Sequence, residues 1–148
     1  MKNNGVRNTP VKVGRCFLIR AEHDSELLEF LTEFTKKNNV KLATFTAVGA
    51  LKSGKLGFYD QQTHKYCESV LSGPQEIASL IGNVSSKDGV PFVHAHVVLA
   101  DDQEKVHAGH LVAGQVFAAE IHLIEMLGDE FVRKLDPVTG LALWDVKT

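Results

Sequence analysis

The residues of this sequence best suited to chemistry are its histidines. There are seven, and His94, His96, His107 and His110 fall within a short stretch. His94 and His96 belong to the run Pro91-Phe92-Val93-His94-Ala95-His96-Val97-Val98-Leu99-Ala100, which has the texture of a β-strand. Side chains alternate between the two faces of a strand. Val93, Ala95, Val97 and Leu99 therefore share one face, entirely apolar and suited to a core. Phe92, His94, His96 and Val98 share the other. Two imidazoles spaced in this way can close on one metal ion.

A third ligand must come from the next strand, Val106–Val112, across the turn Asp101–Lys105. Residues opposite each other in an antiparallel pair share a face, with ~4.5–5.5 Å between them. If the turn centres on Gln103, His96 faces His110. A one-residue slip brings His107 to that face and turns His110 away. Both registers are open at this stage. Gly109 favours His110, because a glycine there lets another backbone or a ligand come close. Three neutral histidines hold zinc at ~2.0–2.1 Å and leave a fourth position for water, substrate or a group from another subunit. Nickel, copper and iron also accept imidazole. Glu120 is the candidate acceptor for the second ring nitrogen of a ligand, and the candidate catalytic base beside a metal-bound water. The competing reading is a set of hydrogen-bonded structural histidines. His23 and His64 fall in turns, and His122 shares a strand face with Glu120.

Other chemistries find little support. Cys16 and Cys67 have no C-x-x-C spacing, so they form neither a disulfide framework nor a thiolate zinc site. They read as buried or half-buried small hydrophobes. The segment from Gly109 to Gly114 lacks the lysine of a phosphate loop, and no G-x-G-x-x-G is present. Ser85-Ser86 sits in a turn without a nucleophile elbow, and Asp101-Asp102 reads as a solvated turn. Phe58-Tyr59 and Trp144 suit a core or an interface.

These groups must be positioned by a chain of 148 residues, 44% hydrophobic and 23% charged, which fits one globular domain. Residues 1–10 are polar and expected to be flexible, and 11–146 form the domain. No apolar run approaches the ~18 residues of a membrane helix. Met1-Lys2-Asn3-Asn4-Gly5 carries no apolar segment of a secretory signal, so a cytoplasmic protein is expected. Val11–Arg20 predicts a first strand. Asp24 or Ser25 is placed to cap a helix whose apolar stripe is Leu27, Phe30, Leu31 and Phe34, with Lys36 and Lys37 at its end. Strands follow: Val40–Val48 closed by Gly49, a hairpin of Leu56–Tyr59 and Tyr66–Leu71, then Ile77–Val84, Pro91–Ala100, Val106–Val112, Val116–Met126 after Gly114, and a short tail Leu141–Val146. One helix among many strands is an α+β domain, a mostly antiparallel sheet with one main amphipathic helix packed on it. One helix cannot cover so many strands, so the bare apolar face and strand edges predict association with other subunits.

The segments Gly82-Asn83-Val84-Ser85, Gly89-Val90-Pro91-Phe92-Val93-His94-Ala95-His96-Val97 and Gly109-His110-Leu111 resemble the PPC domain, the plant and prokaryote conserved domain. Gly49-Ala50-Leu51, Leu56-Gly57-Phe58-Tyr59-Asp60 and Asp136–Leu141 fit its layout too, so the resemblance runs from about Val11 to Leu143. It implies a trimer-forming α+β fold of the stand-alone prokaryotic type, commonly labelled a predicted DNA-binding protein. It also implies zinc on His94, His96 and His110. In plant members a separate AT-hook, Arg-Gly-Arg-Pro, enters the DNA minor groove. This sequence contains no such segment, and its formal charge is −2 without a basic stripe. The functional expectation is an oligomeric, metal-holding binding or regulatory module associated with DNA. The alternative is a zinc-dependent enzyme, of hydrolase or lyase type, acting on a small molecule.

Overall fold

The computed structural model describes residues 9–145. Its elements are β1 (Lys12–Arg20), α1 (Leu27–Lys37), β2 (Ala43–Asp60), β3 (Lys65–Leu71), β4 (Gln75–Lys87), β5 (Val90–Ala100), β6 (Val106–Leu127), β7 (Arg133–Leu135) and β8 (Ala142–Trp144). The expected flexible segment 1–10 lies outside the described residues apart from Thr9 and Pro10. The α+β class is as expected: among the described residues there is one helix, and a main sheet whose pairings are all antiparallel.

The helix stripe forms as its spacing requires. Leu27 and Leu31 are fully buried, while Leu28, Phe30 and Phe34 pack against the core from its margin. Burying each leucine contributes ~1.5–3 kcal/mol. The cap differs from the expectation. Glu26, not Asp24 or Ser25, accepts the Glu29 N–H through Oε2 at 2.8 Å. Its Oε1 accepts the Gly114 N–H at 2.9 Å, so one carboxylate ties the helix start to β6. The two expected caps are otherwise engaged. Asp24 sits at φ 67° and pairs with Lys52, and the Ser25 hydroxyl donates to the Glu22 carbonyl at 2.6 Å.

Two strands are longer than the glycines in them suggested. β2 continues through Gly49, and β6 continues through Gly114. The two strands pair from Ala43↔Glu125 to Gly57↔His110, with register shifts absorbing the curvature. Gly49 marks a bulge rather than an end. Its φ is 139°, and a Cβ there would lie 2.2 Å from the Ala118 carbonyl oxygen.

The sheet order is β1-β6-β5-β4-β2-β3, and β6 also pairs with β2. β2, β4, β5 and β6 thus close a ring of pairings. The ring encloses Leu51, Leu80, Val97, Leu99 and Leu111, and α1 packs against β5 and β6. Cys16 and Cys67 are exposed, not buried or half-buried as expected, because β1 and β3 are the outermost strands of the sheet. The opposite, helix-free surface leaves Leu18 83% and Ile81 62% exposed. β7 and β8 form a separate two-stranded sheet held to β4 through Ser86.

Candidate metal centre

Alternation along β5 is as the sequence predicts. Ala95, Val97 and Leu99 are buried, and His94 and His96 leave the core layer together. The β5–β6 turn centres on Gln103, so His96 stands opposite His110. A Cβ at Gly109 would come within 3.0 Å of the Gly57 carbonyl oxygen, so glycine there lets β2 close against the N-terminal part of β6. His107 pairs in register with Leu99 and directs Nε2 to Asp101 Oδ2 at 3.3 Å.

One ligand nitrogen from each of His94, His96 and His110 can be chosen so that all lie within 4.8 Å of one another. Their ring centroids are 5.0–5.6 Å apart. Two ligands on a tetrahedral zinc are separated by about 3.3 Å, so a small closing of the rings brings them to one ion. His110 Nδ1 is buried and has no hydrogen-bond partner among the described residues. Such a nitrogen is costly to leave unmatched, and a metal is one means of matching it. Burial pushes the His94 imidazole down to about 4, helped by the charge of Arg133 and by the other two histidines. Burial also lowers His110, with His96 and Arg133 adding to it. Both rings are therefore neutral near pH 7, the form that binds metal.

Around the three rings stand residues that the sequence did not single out as site members. Asn83 on β4 lies opposite His94. The register follows from the Asp88-Gly89 turn, so this neighbour was readable from the β4–β5 hairpin. The Tyr66 ring is 5.5 Å from that of His110. Arg133 comes from the separate small sheet, and no local signal announces it. Its Nε donates to Ser85 Oγ at 2.9 Å, one terminal nitrogen to the Ala142 carbonyl at 2.9 Å, and the other to Asn83 Oδ1 at 2.8 Å. The guanidinium lies 5.0 Å from the Phe92 ring centre and 5.8 Å from that of Trp144.

Glu120 does not join the cluster. It is exposed, ten residues beyond His110 on β6, in register with Arg20 and Val48. His122 is exposed and lies in register with Leu18 and Thr46. His23 Nδ1 contacts the Phe117 carbonyl at 2.7 Å, and His64 stacks on Tyr59 in the β2–β3 turn.

Fold and site together define a small α+β domain with three clustered histidines on a curled antiparallel sheet. The chain belongs to the Plants and Prokaryotes Conserved domain family, whose model matches residues 8–127. A plant- and prokaryote-conserved protein of Pyrococcus horikoshii is 42% identical, with a TM-score of 0.91 over 95% of this chain and 98% of that one. A metal-containing protein of Archaeoglobus fulgidus is 38% identical, with a TM-score of 0.91 over 94% of this chain and 99% of that one. A candidate DNA-binding protein of Bacteroides thetaiotaomicron shares the fold at 23% identity, with a TM-score of 0.82 over 92% of this chain and 97% of its own. A bifunctional GlmU protein of Synechococcus sp. (strain JA-3-3Ab) is 33% identical over 139 residues, 90% of this chain. The chain spans only 21% of that relative's length.

Proposed function

We propose that this chain holds one divalent transition metal ion, zinc, on His94, His96 and His110, and acts as an oligomeric binding and regulatory module. The observation that carries the reading is the meeting of three imidazoles, together with a buried His110 nitrogen that has no hydrogen-bond partner among the described residues. Zinc suits an all-imidazole donor set and needs no redox partner. The metal in the similar archaeal protein supports the same reading. Residues 11–146 act as the single domain, in the cytoplasm. Self-association, as a trimer, covers the apolar surface around Leu18 and Ile81. Association with DNA is proposed from the names of similar proteins.

Calorimetric titration of zinc into metal-stripped protein tests the site. About one equivalent should bind wild type, and His96→Ala should bind roughly 100-fold more weakly or not at all. Equal binding by the two proteins would refute it. The DNA proposal requires an affinity that falls steeply with salt; undetectable binding even at low salt removes it.

The enzyme reading keeps one point in its favour. Three protein ligands leave a zinc coordination position open, which is the arrangement of catalytic sites. Glu120 is too far along β6 to serve as its base.

A further inference from the structure

Three neutral imidazoles bring no negative charge to a divalent cation. Among the described residues no carboxylate belongs to the cluster. Instead a second positive charge is built in beside it. Arg133 has no carboxylate within salt-bridge distance among the described residues, and it is half-buried between two aromatic rings. It stands next to the cluster, since it donates to Asn83, which lies opposite His94 in the β4–β5 ladder, and packs on Phe92, two residues before His94 on the same strand face. Concentrating a dication and a guanidinium in a partly desolvated site is unfavourable until an anion joins them.

The guanidinium is also fixed in place. Ser85 is fully buried, and its hydroxyl accepts the Arg133 Nε–H. Asn83 and the Ala142 carbonyl each take one hydrogen bond from a terminal nitrogen. One N–H on each terminal nitrogen then has no protein partner among the described residues, and a planar oxyanion is what such a fork accepts. The Tyr66 hydroxyl makes no protein hydrogen bond among the described residues, and its ring flanks His110.

We infer that Arg133 and the metal on His94, His96 and His110 form a two-point site for a small carboxylate, one end of which takes the open coordination position. Asn83 positions the arginine, and the Tyr66 ring flanks His110. This rests on the metal reading above and extends it by assigning the class of ligand. Binding would exchange a metal-held water for a carboxylate oxygen and would leave the covalent bonds of the carboxylate itself unchanged.

Cobalt(II) in place of zinc makes the site visible, since ligand exchange at cobalt changes its visible absorption. Cobalt uptake is measured first, followed by titration with acetate and with neutral acetamide. Acetate should shift the bands in a saturable way, and acetamide should not. Arg133→Gln should retain cobalt and a native circular dichroism spectrum while weakening acetate at least tenfold. Arg133→Lys, which keeps the charge and loses the fork, should be intermediate, and serves if the glutamine variant fails to fold. Equal responses to acetate and acetamide, or wild-type acetate affinity in the folded variants, would overturn the anion site and leave the metal reading standing. Failure to take up cobalt would overturn both.

Discussion

His110 lies directly opposite His96 in the β5–β6 ladder, while His107, three residues earlier, is opposite Leu99 and bonded to Asp101. The register therefore sorts two histidines of one strand into different surroundings. His110→Ala should weaken zinc binding roughly 100-fold or more, and His107→Ala should leave it unchanged within about twofold. Calorimetry on the two variants decides this. Equal losses would mean that the ladder is not what selects the ligand.

Metal-stripped protein should lose stability as the solution is acidified. An unfolded histidine titrates near 6.5, whereas His94 in the fold is held down to about 4. Between those values the unfolded chain takes up a proton that the folded chain does not. Stability is complete above about pH 6.5 and falls as pH drops through this window. The urea midpoint should be lower near pH 5 than near pH 7.5. His94→Gln should reduce that difference. The Glu125 carboxyl, held below its ordinary value by Arg15, makes its contribution at lower pH.

Gly49 is where β2 bends against β6. Gly49→Ala puts a methyl group 2.2 Å from the Ala118 carbonyl oxygen, at a φ of 139°. A loss of about 2 kcal/mol or more in unfolding free energy is expected. Gly73→Ala is the contrast, since a Cβ there meets nothing within 4 Å. It should cost only the backbone strain of its positive φ, about 1 kcal/mol. Equilibrium denaturation of both variants tests the difference.

Leu18 and Ile81 lie on the helix-free face, at 83% and 62% exposure in the single chain. Neither supports the core of the single chain. Leu18→Glu combined with Ile81→Glu should therefore convert an assembled species to monomer while keeping the circular dichroism spectrum. Light scattering on wild type and variant measures this. An unchanged mass would show that the face is not the interface.

Much of this architecture was legible because it is local. The stripe of Leu27, Leu31 and Phe34 follows from helical spacing, and the shared face of His94 and His96 from strand alternation. The choice between His110 and His107 needed the turn centre, which a polar segment such as Asp101–Lys105 does not declare. Glycines misled in two places. Gly49 and Gly114 look like strand ends, yet they are points of close approach inside long, bent strands. The cap misled as well, because Glu26 gains a second partner, Gly114, far away in sequence. Arg133 was invisible for the same reason. Its contacts with Asn83, Ser85 and Phe92 are made across the fold from a separate sheet.

The metal content of wild-type protein, purified without chelators or a histidine tag, tests the central claim most directly. Elemental analysis should find about one zinc, or another divalent transition metal ion, per chain, with almost none in His96→Ala prepared alongside. Wild type that carries no metal and takes up none when it is offered would contradict the account.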